Sequence, residues 1–281
     1  MKKIIVMLSL ASCVFMLSCS NDQDGQKQGF DKSHREEARE LLRQMNAENP
    51  YAEYGIDHNA AVAGMMNELK KTTRSGDSLS VFLNSVKTQS LERADSILTA
   101  NNINSYTLDD VEDAYDSVVP SIISSKPTNI NLAHPSLTEG LSSDAVQLIA
   151  TVDEILKDED DSSVSVLNRL NSVFSHAQAL LQGDELVELA MITAIASNSV
   201  EYWMEEHPIN HQFSNNFNAA QWKQAAVPDV YGAIIAAKII IGPNGVKVVP
   251  TISAAASSLS AAIIIGFITI VQVEFEPFEL F

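Results

Sequence analysis

Ser142-Ser143-Asp144-Ala145-Val146-Gln147-Leu148-Ile149-Ala150-Thr151-Val152-Asp153-Glu154-Ile155-Leu156 is the stretch that decides how this chain is built. Its opening serines and aspartate offer side-chain oxygens to the first free amides of a helix. Val146, Leu148, Ile149, Val152, Ile155 and Leu156 then recur at the three- and four-residue spacing that gathers side chains on one helical face. A strand would need alternation by two, which is absent. The acidic run Asp158-Glu159-Asp160-Asp161 lacks the alternating ligands and central glycine of a calcium loop and reads as a solvated turn. Ser162 and Ser163 open a second helix with Val166, Leu167, Leu170, Val173, Phe174, Ala177, Leu180 and Leu181 on its apolar face. Gly183-Asp184 breaks it, and a third helix runs from Leu186 to Met204, ahead of Pro208.

The same grammar extends toward the N-terminus. Ser33-His34-Arg35-Glu36 is a capping box that opens a helix with Ala38, Leu41, Leu42 and Met45 inward and Pro50 beyond its end. A helix over about Asp57 to Lys71 directs Ala60, Ala61, Gly64, Met65 and Leu69 inward. After the turn Arg74-Ser75-Gly76-Asp77 comes another, with Leu79, Phe82, Leu83, Val86, Leu91, Ala94, Ile97 and Leu98, and Thr107 caps one carrying Leu108, Val111, Tyr115, Val118 and Val119. Pro120, Pro127 and Pro135 punctuate the crossing to the second half, with Asn129 to Leu132 irregular or extended.

Toward the C-terminus the chain changes character. From Val230 to Val273 the only charged residues are Lys238 and Lys247. Two apolar segments, one containing Gly232 and Lys238 and the other containing Gly266, flank a returning loop at Gly242-Pro243-Asn244-Gly245. Ile252 to Val273 is a run of 22 uncharged residues, and about 20 suffice to cross a bilayer. Small residues at Ala255, Ala256, Ser258, Ser260, Ala261 and Ala262 allow close helix approach in membrane and soluble packing alike. The segment therefore fits a buried central helix, a membrane-inserting hairpin or a surface covered by a partner. Its β-branched clusters at Ile263 to Ile265 and Ile268 to Val271 also fit a strand. Because helices apolar all round are interior ones, the expected fold class is all-α. It is a multi-helix bundle of seven to nine helices with the C-terminal hairpin packed centrally.

The first residues carry a different signal. Met1-Lys2-Lys3 followed by the apolar run Ile4 to Leu17 and an abrupt polar turn has the form of a secretory leader. Leu10-Ala11-Ser12-Cys13 is the better local match to a lipobox, but cleavage there leaves an apolar core of nine residues and a mature chain starting Val14-Phe15-Met16-Leu17. Cleavage before Cys19 leaves a full core and a polar start, so Cys19 is the expected lipidation site. The organisation expected is a leader over 1–18, a flexible tether over 19–30 and a helical domain over 31–281. That domain comprises helices in 31–125 and 140–206 and the apolar hairpin in 220–273.

The start Cys19-Ser20-Asn21-Asp22-Gln23-Asp24 resembles that of outer-membrane and surface lipoproteins of Bacteroidota-type Gram-negative bacteria. Loosely matched lipoboxes are common there, and acidic residues after the cysteine favour export to the surface. The resemblance implies palmitate-type acylation at Cys19 and an outer-membrane location, facing the cell exterior or the periplasm. The pattern Tyr202-Trp203, Trp222, Asp229 and Gly232-Ala233 leading into a small-residue hairpin is similar to lipoproteins of the same group and to bacteriocin-type peptides. The second likeness implies membrane action through residues 230–273.

The chain holds 18 basic and 36 acidic residues. Loss of the leader removes Lys2 and Lys3, giving 16 against 36 and a net charge of −20, which argues against a nucleic-acid partner. With Cys13 lost and Cys19 acylated, no thiol remains for catalysis or zinc. His207 and His211 have the separation at which two helical histidines share a metal, beside Glu205 and Glu206. Pro208 stands between them and reads the segment as a loop, leaving only a weak metal candidate. Tyr202, Trp203, Phe213 and Trp222 read as a core aromatic cluster. No serine-hydrolase elbow, phosphate loop, dinucleotide fingerprint or Glu-x-x-His pair is present. The expectation is a noncatalytic, cofactor-free interaction or structural lipoprotein held to a membrane by its lipid. Its alternative is a membrane-active protein using the 230–273 hairpin.

Overall fold

A computed structural model of the chain describes residues 32–72, 79–100, 107–109, 112–113, 115–116, 129–158, 161–203 and 226–240. Contacts divide the chain into a unit Met1–Glu37, of which only the start of one helix is described, and a unit Ala38–Phe281, which contains the bundle. Eight helices are delineated among the described residues, and no strand. They are α1 (Lys32–Glu48), α2 (Glu53–Thr72), α3 (Leu79–Ala100), the single turn α4 (Pro135–Thr138), α5 (Ser143–Lys157), α6 (Ser163–Leu180), α7 (Gly183–Glu201) and α8 (Ala226–Ile240). The fold is all-α, as the apolar periodicity predicts.

The expected caps form at the two clearest positions. Ser142 Oγ accepts from the Ala145 amide at 3.3 Å to start α5, and Ser162 Oγ accepts from Ser165 at 3.2 Å to start α6. A cap is worth about 1 kcal/mol, whereas each large apolar side chain on the stripe gains roughly 1.5–3 kcal/mol on burial. Caps therefore fix where a helix begins, and the stripe fixes where it sits. Leu148, Ile149, Val152, Ile155 and Leu156 of α5 are buried, as are Val166, Leu167, Leu170, Val173, Phe174 and Ala177 of α6. Leu180 points outward at 59% exposure, and Leu181 alone continues the inner face.

The acidic turn after α5 is tied back by Arg169, which bridges Asp158 (2.8 Å) and Asp161. At the opposite end, Glu185 in the first turn of α7 accepts from both the backbone amide (2.5 Å) and the hydroxyl (2.9 Å) of Ser142. The beginnings of α5 and α7 are thereby joined.

Helix α7 is the axis of the bundle. It starts at Gly183, three residues before the expected Leu186, and Gly183 takes a left-handed φ of +58° at the junction with the preceding turn. Every residue from Glu188 to Glu201 is buried. Helices α2, α5, α6 and α8 pack on it, and α1 reaches it through side chains. Asn49 Nδ2 donates to the Ala190 carbonyl at 2.8 Å, Asn46 and Asn198 exchange amide hydrogen bonds at 3.1 and 3.3 Å, and Arg39 pairs with Glu201 at 3.2 Å. Helix α8, the first arm of the expected hairpin, lies in the core with Val227, Val230, Ala233 and Ile234 fully buried. The returning loop and second arm, with Gly242, Pro243, Gly245 and Gly266, fall outside the described residues.

Helix α2 departs from its expected face. Ala61 and Met65 are buried as predicted, but Ala60 and Gly64 are exposed, and the inner row is Tyr54, His58, Ala61, Val62 and Met65. The approach of α2 to α7 explains the shift. Gly55 lies against the Ala194 carbonyl and the Asn198 amide nitrogen, so close that a Cβ at this position would overlap both. Gly55→Ala is expected to force the two helices apart and to cost about 2 kcal/mol or more, within the range for overpacked cores. Urea denaturation of the variant against wild type measures it.

Candidate functional site

The sharpest chemistry among the described residues lies where α2, α7 and α8 meet. His58 comes from the inner row of α2. Ser199 lies in the last turn of α7 and Trp203 one turn further on, just past its end, where the Tyr202 amide bonds the carbonyls of both Asn198 and Ser199. Asp229 comes from the first turn of α8, where the positive end of the helix dipole favours a carboxylate. All four side chains have 0% exposure.

The carboxylate of Asp229 is the hub. Its Oδ2 accepts from the Ser199 hydroxyl and from the Trp203 indole N–H at 3.1 Å. Its Oδ1 lies 3.0 Å from His58 Nε2. The ring N–H does not point straight at that oxygen, so this contact is ionic rather than a directed hydrogen bond. On the other side of the ring, His58 Nδ1 is 2.9 Å from Asn59 Oδ1. The Asn59 amide is fixed in this orientation because its Nδ2 donates to the Asn198 carbonyl at 2.9 Å, a position no oxygen could fill. His58 therefore has an acceptor at each ring nitrogen, an arrangement suited to the doubly protonated imidazolium.

Burial by itself pushes the His58 ring toward its neutral form, but the Asp229 charge and the contacts to Asp229 and Asn59 outweigh it. The net effect raises the pKa above the ordinary 6.5. An unfolded chain releases this proton at the ordinary value. The stabilisation from the charged pair is therefore complete below about pH 6.5 and is lost as pH rises through the raised value.

Serine, histidine and aspartate together invite comparison with a nucleophilic triad, and the wiring excludes one. A triad needs the histidine to take the serine proton while the carboxylate holds the far ring nitrogen. Here Ser199 donates to Asp229 and not to His58, the far nitrogen faces Asn59, and no atom of the cluster meets solvent. A nearby cavity lined by Met45, Asn46, Asn49, Phe174, Thr193, Ala194 and Ser197 offers about 10 Å³, room for about one water molecule and no substrate. Within the described residues no group of three His, Cys, Asp or Glu side chains is placed to hold a metal.

Of the residues singled out from sequence, Trp203 and Asp229 are brought together, and Tyr202 packs edge-on to Trp203 with ring centroids 5.2 Å apart. Gly232 lies buried in α8, and Lys238 is in its last turns. Cys19, His207, His211, Phe213 and Trp222 fall outside the described residues. His58 and Ser199 carried no sequence signal of their own. The row Tyr54, His58, Ala61, Met65 at helical spacing would have exposed the first, had a histidine been allowed on an apolar face. Comparison of the chain with protein-family models, curated proteins and solved structures finds no match.

Asp229→Ala removes the acceptor shared by the buried donors Ser199 and Trp203 and the counter-charge of His58. Its expected cost is about 3–5 kcal/mol, as for breaking a buried ion pair from one side, read from urea denaturation at pH 6. Ser199→Ala removes one hydrogen bond to a charged acceptor and is expected to cost about 1.5–3 kcal/mol in the same assay.

Proposed function

We propose that the chain is an exported lipoprotein, acylated at Cys19 and held at the outer membrane, facing the exterior or the periplasm. Its helical bundle would serve as a noncatalytic interaction or structural body. The observation that carries this reading is the N-terminal sequence, which has the form of a leader. It has a basic start, an apolar core of ordinary length and a cysteine after which the chain turns polar and acidic. In support of a noncatalytic body, the described constellation richest in reactive groups is sealed and wired for structure. No helix among the described residues is long and apolar enough to cross a membrane. The strongly acidic composition favours a protein partner or a solvated surface over nucleic acid.

Metabolic labelling with an alkyne analogue of palmitate tests the anchor. Cys13→Ser is expected to be processed and labelled like wild type. Cys19→Ser is expected to lose the label and accumulate as a heavier precursor. Labelling retained in Cys19→Ser would rule the proposal out.

A further inference from the structure

We propose that the contact between His58 and Asp229 is a proton-dependent latch that seats α8 on the bundle at and below neutral pH and loosens it as the medium turns alkaline. The geometry carries this independently of the anchor. His58 is buried between two acceptors, Asp229 Oδ1 and Asn59 Oδ1. Loss of the ring proton must leave one ring nitrogen facing an acceptor with no hydrogen between them, and it must leave the Asp229 charge without its counter-charge. Neither group reaches water without movement, since both are fully buried. The remaining donors to Asp229 among the described residues are Ser199 of α7 and Trp203 just past its end, neither on α2. Deprotonation therefore weakens the tie between α2 and α8 specifically.

No other described charge competes for the ring. Of the charged groups on α7, Glu201 pairs with Arg39, and Glu188 lies about three turns from Ser199. On α3, which packs on α2, Lys87 pairs outward with Glu112 and Asp116. On α5, which packs on α8, Asp153 and Lys157 pair with each other at 2.6 Å. On α2 itself Tyr54, one turn before His58, has its pKa raised above 10 by burial and stays neutral through the range concerned. On α8, Tyr231 is partly buried at the core edge. Among the described residues Asp229 is the charge that acts on the imidazole.

The latch is local because the rest of α8 is held by apolar contacts of Val227, Val230, Ala233 and Ile234, which do not respond to pH. Hydrogen exchange of the full chain between pH 6 and 9, expressed as protection relative to intrinsic chemical rates, separates local from global opening. Amides of Ala226–Ile240 are expected to lose protection by up to about tenfold per pH unit above 6.5, until the raised pKa is passed. Those of Ser163–Leu180, which open only with the whole bundle, should stay better protected than α8 at every pH, their own loss following the global stability. In His58→Gln the α8 slope is expected to vanish. Unchanged α8 protection in wild type, or α8 amides as well protected as those of α6, overturns the latch, and so does a slope that survives in His58→Gln. Should that variant fail to fold, the wild-type contrast between α6 and α8 decides alone.

Discussion

A helix with no face left for water sets the terms for the whole bundle. From Glu188 to Glu201 every side chain of α7 is buried, so α1, α2, α5, α6 and α8 must each cover part of it. A helix covered on every side is ordinarily apolar throughout, yet α7 carries Thr193, Ser197, Asn198 and Ser199 in its buried span. Buried polar groups are costly unless hydrogen-bonded. Thr193 turns back to the Leu189 and Ala190 carbonyls of its own helix, and Asn198 and Ser199 bond outward to α1 and α8. Asn198 and Ser199 thus select which neighbour lies where, a specificity that apolar contacts alone do not supply.

Asn198 and the His58–Asp229 cluster are parts of one seam. The Asn198 carbonyl orients Asn59, Asn59 orients the histidine ring, and the ring faces the carboxylate of α8. Close helix approach at Gly55, against Ala194 and Asn198, brings the seam within hydrogen-bonding range. A bulkier residue there would disturb apolar packing and polar registration together.

The sequence makes the fold class and the helices with strong stripes readable, and the reason is physical. In α5 and α6 the inner positions are Leu, Ile and Val, and the caps are serines placed just ahead of them, so periodicity and termination agree. Helix α2 sets small residues such as Ala60, Ala61 and Gly64 among large ones that fall on more than one face, Ile56 outside and Met65 inside, so its period does not distinguish one face from the next. Small residues at Ala60 and Gly64 look inward by composition and lie outside, while His58 looks outward and lies inside. Asp229 and Trp203 stand out as a polar and an aromatic residue beside an apolar hairpin. Their partner His58 lies on a helix near the other end of the chain, and only tertiary packing reveals the contact.

Glu185 has a role beyond closing a turn. The helices α5 and α7 begin side by side, so the positive poles of two peptide dipoles face the same small volume, an unfavourable arrangement if left bare. One carboxylate, bonded to the residue that caps α5 while standing in the first turn of α7, answers both. Asp144 and Asp184 add their charges in the same first turns, and the hydrogen bonds from Ser142 to Glu185 hold the two helices together at the end where they start.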